Sequence, residues 1–282
     1  MKIIDTHSHL NFKAFKDDSS NVMKRTLAED VWMVNVGTKY ETSLKAIEIA
    51  QQYERGVYAA IGLHPMYAAA EFVKLKTDPD EGEFLIKEQE FSREKYRDLI
   101  VGGKEKIVAM GEIGLDYYYK PKSSAKLQLF KEKQKKVFLE QLELAKEFDL
   151  PLILHCRVAH DDLIDILRDH SLLTTNYKLR GIVHCFTGTL EQAQKYIEIG
   201  FLIGINGIIF KLDLDNVVKN VPLENMVVET DCPYLTPTPE SGKRNEPLFI
   251  KHTISKVAEL KGVSFDEVCQ KTTENAKNLF GI

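Results

Sequence analysis

The chain has 282 residues, of which 44% are hydrophobic and 28% charged, with a formal net charge of −4. That is ample apolar material for a large core, and it excludes the broad positive field of a non-specific duplex binder, so any nucleic-acid contact has to be local. No apolar stretch approaches spanning length, and the first residues run straight into a strand-like segment without a basic region or cleavage site; this predicts a cytoplasmic protein with no membrane partner.

Short β-branched or apolar runs then alternate with helix-period segments, which is the pattern of a parallel sheet. The first run, Ile3 to Asp5, leads into Thr6-His7-Ser8-His9. Extended backbone places residues i and i+2 on one face, so His7 and His9 form a two-pronged nitrogen clamp suited to a divalent metal. A helical stretch from Asn21 to Asp30 precedes Trp32 to Val36, and an amphipathic segment from Thr42 to Tyr53 precedes Val57 to Ile61 and Gly62-Leu63-His64-Pro65. Ile107 to Met110 runs into Gly111-Glu112-Ile113-Gly114, and a long helix, Ala125 to Glu147, leads to Leu152 to Leu154. Gly181 to Val183, Phe201 to Ile205 and Met226 to Val228 complete a set of eight strands. Eight such units in a chain of this length predict a (β/α)8 TIM barrel spanning residues 1–282 as a single domain. The over-long connection from Tyr67 to Lys104, with a charged middle at Lys74 to Glu83, reads as a solvated helical insertion rather than a lid.

Residues with metal-ligand chemistry stand at the carboxyl ends of five of these strands: His7, His9, Glu112, His155, His184 and Asp231. In a closed barrel they ring one mouth, and four imidazoles with two carboxylates can hold two divalent ions. Glu112, with two oxygens, is the natural bridge, and Asp231 is placed to act as both ligand and general base. Arg157, two residues beyond His155, and Lys243 and Arg244, in the loop after the eighth strand, are candidate phosphate contacts, as is His64. His160, His170 and His252 receive no role. Tyr117 to Tyr119 could stack unpaired bases, although aromatics after a strand more often pack. Four cysteines are too sparse for a disulfide framework. Three of them follow His155, His184 and Asp231, and strand alternation predicts that they turn away from the mouth as buried apolar groups.

Taken together, Ile4 to Leu10, Gly62 to Pro65, Gly111 to Tyr118, Leu154 to Arg157, His184 to Gly188, Glu229 to Pro237 and Gly242 to Pro247 make the chain resemble the TatD-type metal-dependent deoxyribonucleases of the amidohydrolase superfamily. The resemblance covers nearly the full length. It implies that His7, His9, Glu112, His155, His184 and Asp231 bind a two-metal centre of Mg²⁺, Mn²⁺ or Zn²⁺. It also implies nuclease activity on DNA, often from the 3′ end, with single-stranded or frayed 3′ ends as the partner; it implies nothing about a protein partner. Two other readings stand beside it: hydrolysis of a small ester, amide or aminoacyl substrate by the same metal centre, and a metal-stabilised module that holds nucleic acid without cutting it.

Overall fold

Aliphatic and β-branched runs form the strands, and the good helix formers between them form the outer layer. In the computed structural model, which describes residues 2–73, 89–173 and 177–282, the first half runs β1 (Ile3–Ser8), α1 (Ser19–Ala28), β2 (Val31–Val36), α2 (Tyr40–Ala50), β3 (Val57–Ile61), α3 (Pro65–Ala68), α4 (Arg93–Gly103), β4 (Ile107–Asp116) and α5 (Ser124–Glu147). The second half runs β5 (Leu152–Arg157), α6 (His160–Leu173), β6 (Gly181–Val183), α7 (Leu190–Ile199), β7 (Phe201–Ile205), α8 (Asp215–Asn220), β8 (Met226–Val228), α9 (Ile250–Lys261) and α10 (Phe265–Phe280). The strands lie in the order β1 to β8, each parallel to the next. Thr6 Oγ1 donates to the Val228 carbonyl at 3.2 Å and the Asp231 N–H donates to the His7 carbonyl at 2.8 Å, bringing β8 against β1. The result is the (β/α)8 barrel expected from the sequence, nearly closed.

Two apolar clusters hold it. One lies between strands and helices, where residues such as Met33, Leu142, Leu167 and Val257 are fully buried. The other gathers Ile4, Val34, Ala60, Val108, Ile153, Ile182 and Val227 from seven strands, with Ala276 and Phe280 of α10, as side chains filling a barrel bore do. Among the described residues no helix is long and apolar enough to cross a membrane.

In the long connection, α4 buries Tyr96, Leu99 and Ile100, and the Tyr96 hydroxyl donates to the Gly62 carbonyl at 3.1 Å. Arg93 and Arg97 both pair with Glu147 of α5. The described part is therefore a helix docked on the barrel flank. The charged middle, Lys74 to Glu83, lies outside the described residues.

The sequence reading ends the fourth strand at Met110, but β4 runs for ten residues in all and continues to Asp116. Its register shifts after Met110 and then re-pairs with β5 from Ile113 opposite Leu154 to Asp116 opposite Arg157. Gly111 and Gly114, which look like a strand end, are instead points of close approach between the two strands. A Cβ on Gly111 would lie 2.5 Å from the Ile153 Cβ, and one on Gly114 would lie 2.1 Å from the His155 carbonyl oxygen. Gly114 also has φ of +139°, a conformation that other residues rarely adopt. We expect Gly114→Ala to cost about 3 kcal/mol or more, because strain and a backbone clash coincide. Thermal or denaturant unfolding of the variant would check this, and stability equal to the parent would show that β4 and β5 can part at this point.

Candidate metal centre

The extended β4 carries Glu112 into the middle of the barrel mouth, where it is buried. Glu112 Oε1 lies 2.8 Å from His155 Nδ1 at the end of β5 and 2.9 Å from His184 Nε2 just after β6. Its other oxygen, Oε2, lies 3.5 Å from His7 Nε2 and 4.0 Å from His9 Nε2. The two β1 imidazoles converge, with their Nε2 atoms 3.1 Å apart, and Asp231 Oδ1 sits 3.3 Å from that of His9 and 3.7 Å from that of His7. Asp231 reaches inward because its backbone is left-handed, φ +56°, a region that Asp tolerates better than most residues. All six residues named from strand ends thus stand together. A cavity of about 500 Å³ opens above them, and its wall includes His9, Glu112, His155, His184 and Asp231.

The hydrogen bonds behind the histidines decide what they present to the mouth. His9 Nδ1 faces the Val36 carbonyl at 2.8 Å, and a carbonyl can only accept, so the proton is on Nδ1 and the Nε2 lone pair looks inward. His155 Nε2 faces Asp116 Oδ2 at 3.0 Å, which leaves its Nδ1 lone pair toward Glu112. His184 Nδ1 faces Glu229 Oε1 at 3.5 Å and its Nε2 turns inward. Inward lone pairs against two carboxylates repel one another unless positive charge lies among them. Orientation of ligand imidazoles by outer acceptors is also how protein metal sites are built. The donor set therefore fits divalent cations, with His7, His9 and Glu112 close enough together to form one compact group.

Comparison with known proteins agrees with this chemistry. Residues 4–281 match the family described as TatD related DNase. The chain belongs to the TatD family of metal-dependent hydrolases. It is 39% identical to the uncharacterized metal-dependent hydrolase YabD of Bacillus subtilis (strain 168) over 99% of both chains. It is 31% identical to YcfH of Escherichia coli (strain K12), covering 100% of this chain and 97% of that protein. The crystal structure of the TatD homolog YjjV from Escherichia coli superposes with a TM-score of 0.80 at 30% identity, covering 99% of this chain and 98% of that one.

Charge in this TatD hydrolase is balanced within the cluster. Burial pushes Glu112 up, but His184, His64 and His155 outweigh it and hold the carboxyl well below the usual range. Asp231 is likewise raised by burial and lowered further by His9, His7 and His184. Burial also lowers the imidazoles; in His9, His155 and His184 the neighbouring carboxylates win and move them up, whereas in His7 burial, helped by His184, prevails. A cation at the centre would take over the neutralising work that protons otherwise do.

His64 is placed differently. Its Nδ1 accepts the Met66 N–H at 3.1 Å as the cap of α3, so the proton sits on Nε2, which points at Glu112 Oε1 from 3.4 Å. That makes His64 an inward donor rather than a lone-pair ligand, although it lies close enough to Glu112 and His155 for a metal group. Arg157 does line the cavity, held by Asp116 through Nε at 3.0 Å and Nη2 at 2.7 Å. Lys243 and Arg244 are not brought there. Lys243 pairs with Glu240 at 2.6 Å, and Arg244 lies over the Phe15 ring and pairs with Asp18 at 2.6 Å, so acidic and aromatic neighbours on the flank take both cations. The cysteine expectation also needs correcting. Cys232 is buried as expected, but Cys185 has φ of +44°, which breaks strand alternation, and Cys156 and Cys185 both contribute to the cavity wall.

Two buried carboxylates escaped the sequence reading. Asp116 joins His155 to Arg157, and Glu229 accepts from the Cys185 N–H at 2.7 Å and from Asn206 Nδ2 at 3.0 Å behind His184. Sequence spacing offered no clean signal for either, because the positive φ of Gly114 and of Asp231 interrupts strand alternation between these carboxylates and the residues named from strand ends. We expect Asp116→Asn, which keeps shape but loses charge, to weaken divalent-metal affinity about 10- to 100-fold. Calorimetric titration of stripped protein with Mn²⁺ would measure this, and parental affinity in the variant would leave Asp116 with only its tie to Arg157.

Proposed function

We propose that this protein is a deoxyribonuclease that holds two divalent ions, Mg²⁺, Mn²⁺ or Zn²⁺, on His7, His9, Glu112, His155, His184 and Asp231, and cleaves phosphodiester bonds at single-stranded or frayed 3′ ends. The observation that carries the reading is the position of Glu112. Its two oxygens look to opposite halves of the donor set, Oε1 toward His155 and His184 and Oε2 toward His7 and His9, as a bridging carboxylate's would. The family description names DNase activity, and one arginine stands at the mouth of a cavity large enough for a nucleotide.

When bound, the ions supply what an anionic diester needs, neutralisation of its oxygens and a nucleophile at neutral pH. The residues of the chain do the remainder. Asp231, ionised at neutral pH and reached by solvent, with 13% of its side chain exposed, takes the proton of the attacking water. His64 presents Nε2–H to a phosphate oxygen. Arg157, its Nε and Nη2 both held by Asp116, offers the N–H groups of Nη1 to the same phosphate. Burial of the cluster keeps water from screening these charges.

Stripping divalent metal with a chelator is expected to abolish hydrolysis of end-labelled single-stranded DNA, and added Mn²⁺, Mg²⁺ or Zn²⁺ to restore it. Metal analysis should find two ions per chain. A panel of carboxylic esters and amides run beside the DNA separates this reading from a small-substrate hydrolase: turnover of the panel with none of the DNA would decide for the latter. Asp231→Asn is expected to lower kcat by about 10²- to 10⁴-fold, with no rescue by excess Mn²⁺, because an amide oxygen can bind a cation but is a poor proton acceptor. Full recovery of kcat at saturating metal would leave Asp231 as a ligand only.

A further inference from the structure

The rim of the cavity differs in kind from its floor. The lining contributes imidazoles and carboxylates at the donor cluster, and Tyr118, Ile208, Leu212 and Leu235 as apolar wall. Two of these are unusually open for large apolar side chains, Tyr118 at 57% and Leu212 at 47% exposure. Polyanion binding does not account for such a rim. Among the described residues Arg157 is the single Lys or Arg that lines the cavity, so electrostatics can grip about one phosphate. A bound strand must gain most of its remaining affinity from its bases.

Tyr118 is built for that task. The Arg157 guanidinium lies 4.6 Å from its ring centroid, and Tyr119 meets it edge-on at 4.8 Å. Tyr117, by contrast, points into the fold, where its hydroxyl donates to Asp162. Asp116 positions the platform: its Oδ1 accepts the Tyr118 N–H at 2.9 Å, while its Oδ2 holds both His155 and Arg157. One carboxylate therefore ties ring, cation and hydrolytic floor into a fixed register. Resting on the nuclease reading above, the geometry points to Tyr118, backed by Arg157, as a stacking platform for the unpaired base beside the scissile phosphate. Specificity on this account is for one base and one phosphate at a strand end, rather than for a long stretch of backbone.

The test compares a single-stranded decamer with the same decamer carrying abasic residues at its last two 3′ positions, using metal-loaded full-length protein. Base stacking on an aromatic is worth about 1–3 kcal/mol, so wild type should prefer the base-bearing strand by roughly 5- to 150-fold in kcat/KM, mostly through KM. In Tyr118→Ala that preference should collapse toward unity, and in Tyr118→Phe and Tyr118→Trp it should be kept. The salt dependence of kcat/KM should be shallow, with a log–log slope of about −0.7 for one neutralised phosphate. A wild-type enzyme indifferent to the bases, a preference that survives Tyr118→Ala, or Phe and Trp variants that lose it would each overturn the platform while leaving the nuclease reading intact. Failure of wild type to cut either decamer, alongside turnover of the esters and amides, would overturn the nuclease reading and the platform with it.

Discussion

Six side chains rich in lone pairs and negative charge are aimed at one buried point, and much of the upper barrel is arranged to keep them there. Left to themselves such groups would spread apart or collect protons. The strands prevent the first by holding the donors from behind: Val36 holds His9, Asp116 holds His155, and Glu229 lies behind His184. The second accounts for the opposed shifts, with Glu112 and Asp231 drawn down and His9, His155 and His184 drawn up. A divalent cation relieves the same repulsion at lower cost, which gives a metal-dependent family a physical reason for this donor set.

The same constraint reaches into the backbone. Glu112 stands at the centre only because β4 continues past its glycines, and β4 can continue only because Gly111 and Gly114 let it lie almost in contact with β5. Gly204 plays a similar part on β7, where a Cβ would come within 2.9 Å of Glu229 Oε2. At the seam of the barrel, Asp5 accepts from the Thr230 N–H at 2.9 Å and from its hydroxyl at 2.5 Å, and Asp231 follows directly. Closure of the fold and delivery of the last carboxylate are thus one local event.

Asp116 extends this arrangement outward. Gln134 of α5 clamps its main chain through two hydrogen bonds, at 2.8 Å and 3.0 Å, which frees the carboxylate to hold His155, Arg157 and the Tyr118 backbone at once. Floor and rim therefore share one support.

Much of this was legible in the chain. Alternating strand and helix periods determined the barrel, because burial on both faces of a parallel sheet leaves apolar runs that spacing alone reveals, and five of the eight predicted strands end where the structure ends them or differ only at their first residue. That His7, His9, Glu112, His155, His184 and Asp231 would gather at one mouth was legible in the same way, although Glu112 stands within a strand that runs on to Asp116 rather than at its end. Tertiary structure alone decided the rest. The glycines of β4 look like a terminator until β5 is seen against them. Asp116 and Glu229 look like ordinary acidic residues until the ring nitrogens behind which they sit are placed. Arg157 and Arg244 are indistinguishable as sequence, each a cation after a strand; which one faces the cavity depends on whether its carboxylate partner stands inside the mouth, as Asp116 does, or on the flank, as Asp18 does. Partners distant along the chain set those positions, and no local pattern encodes them.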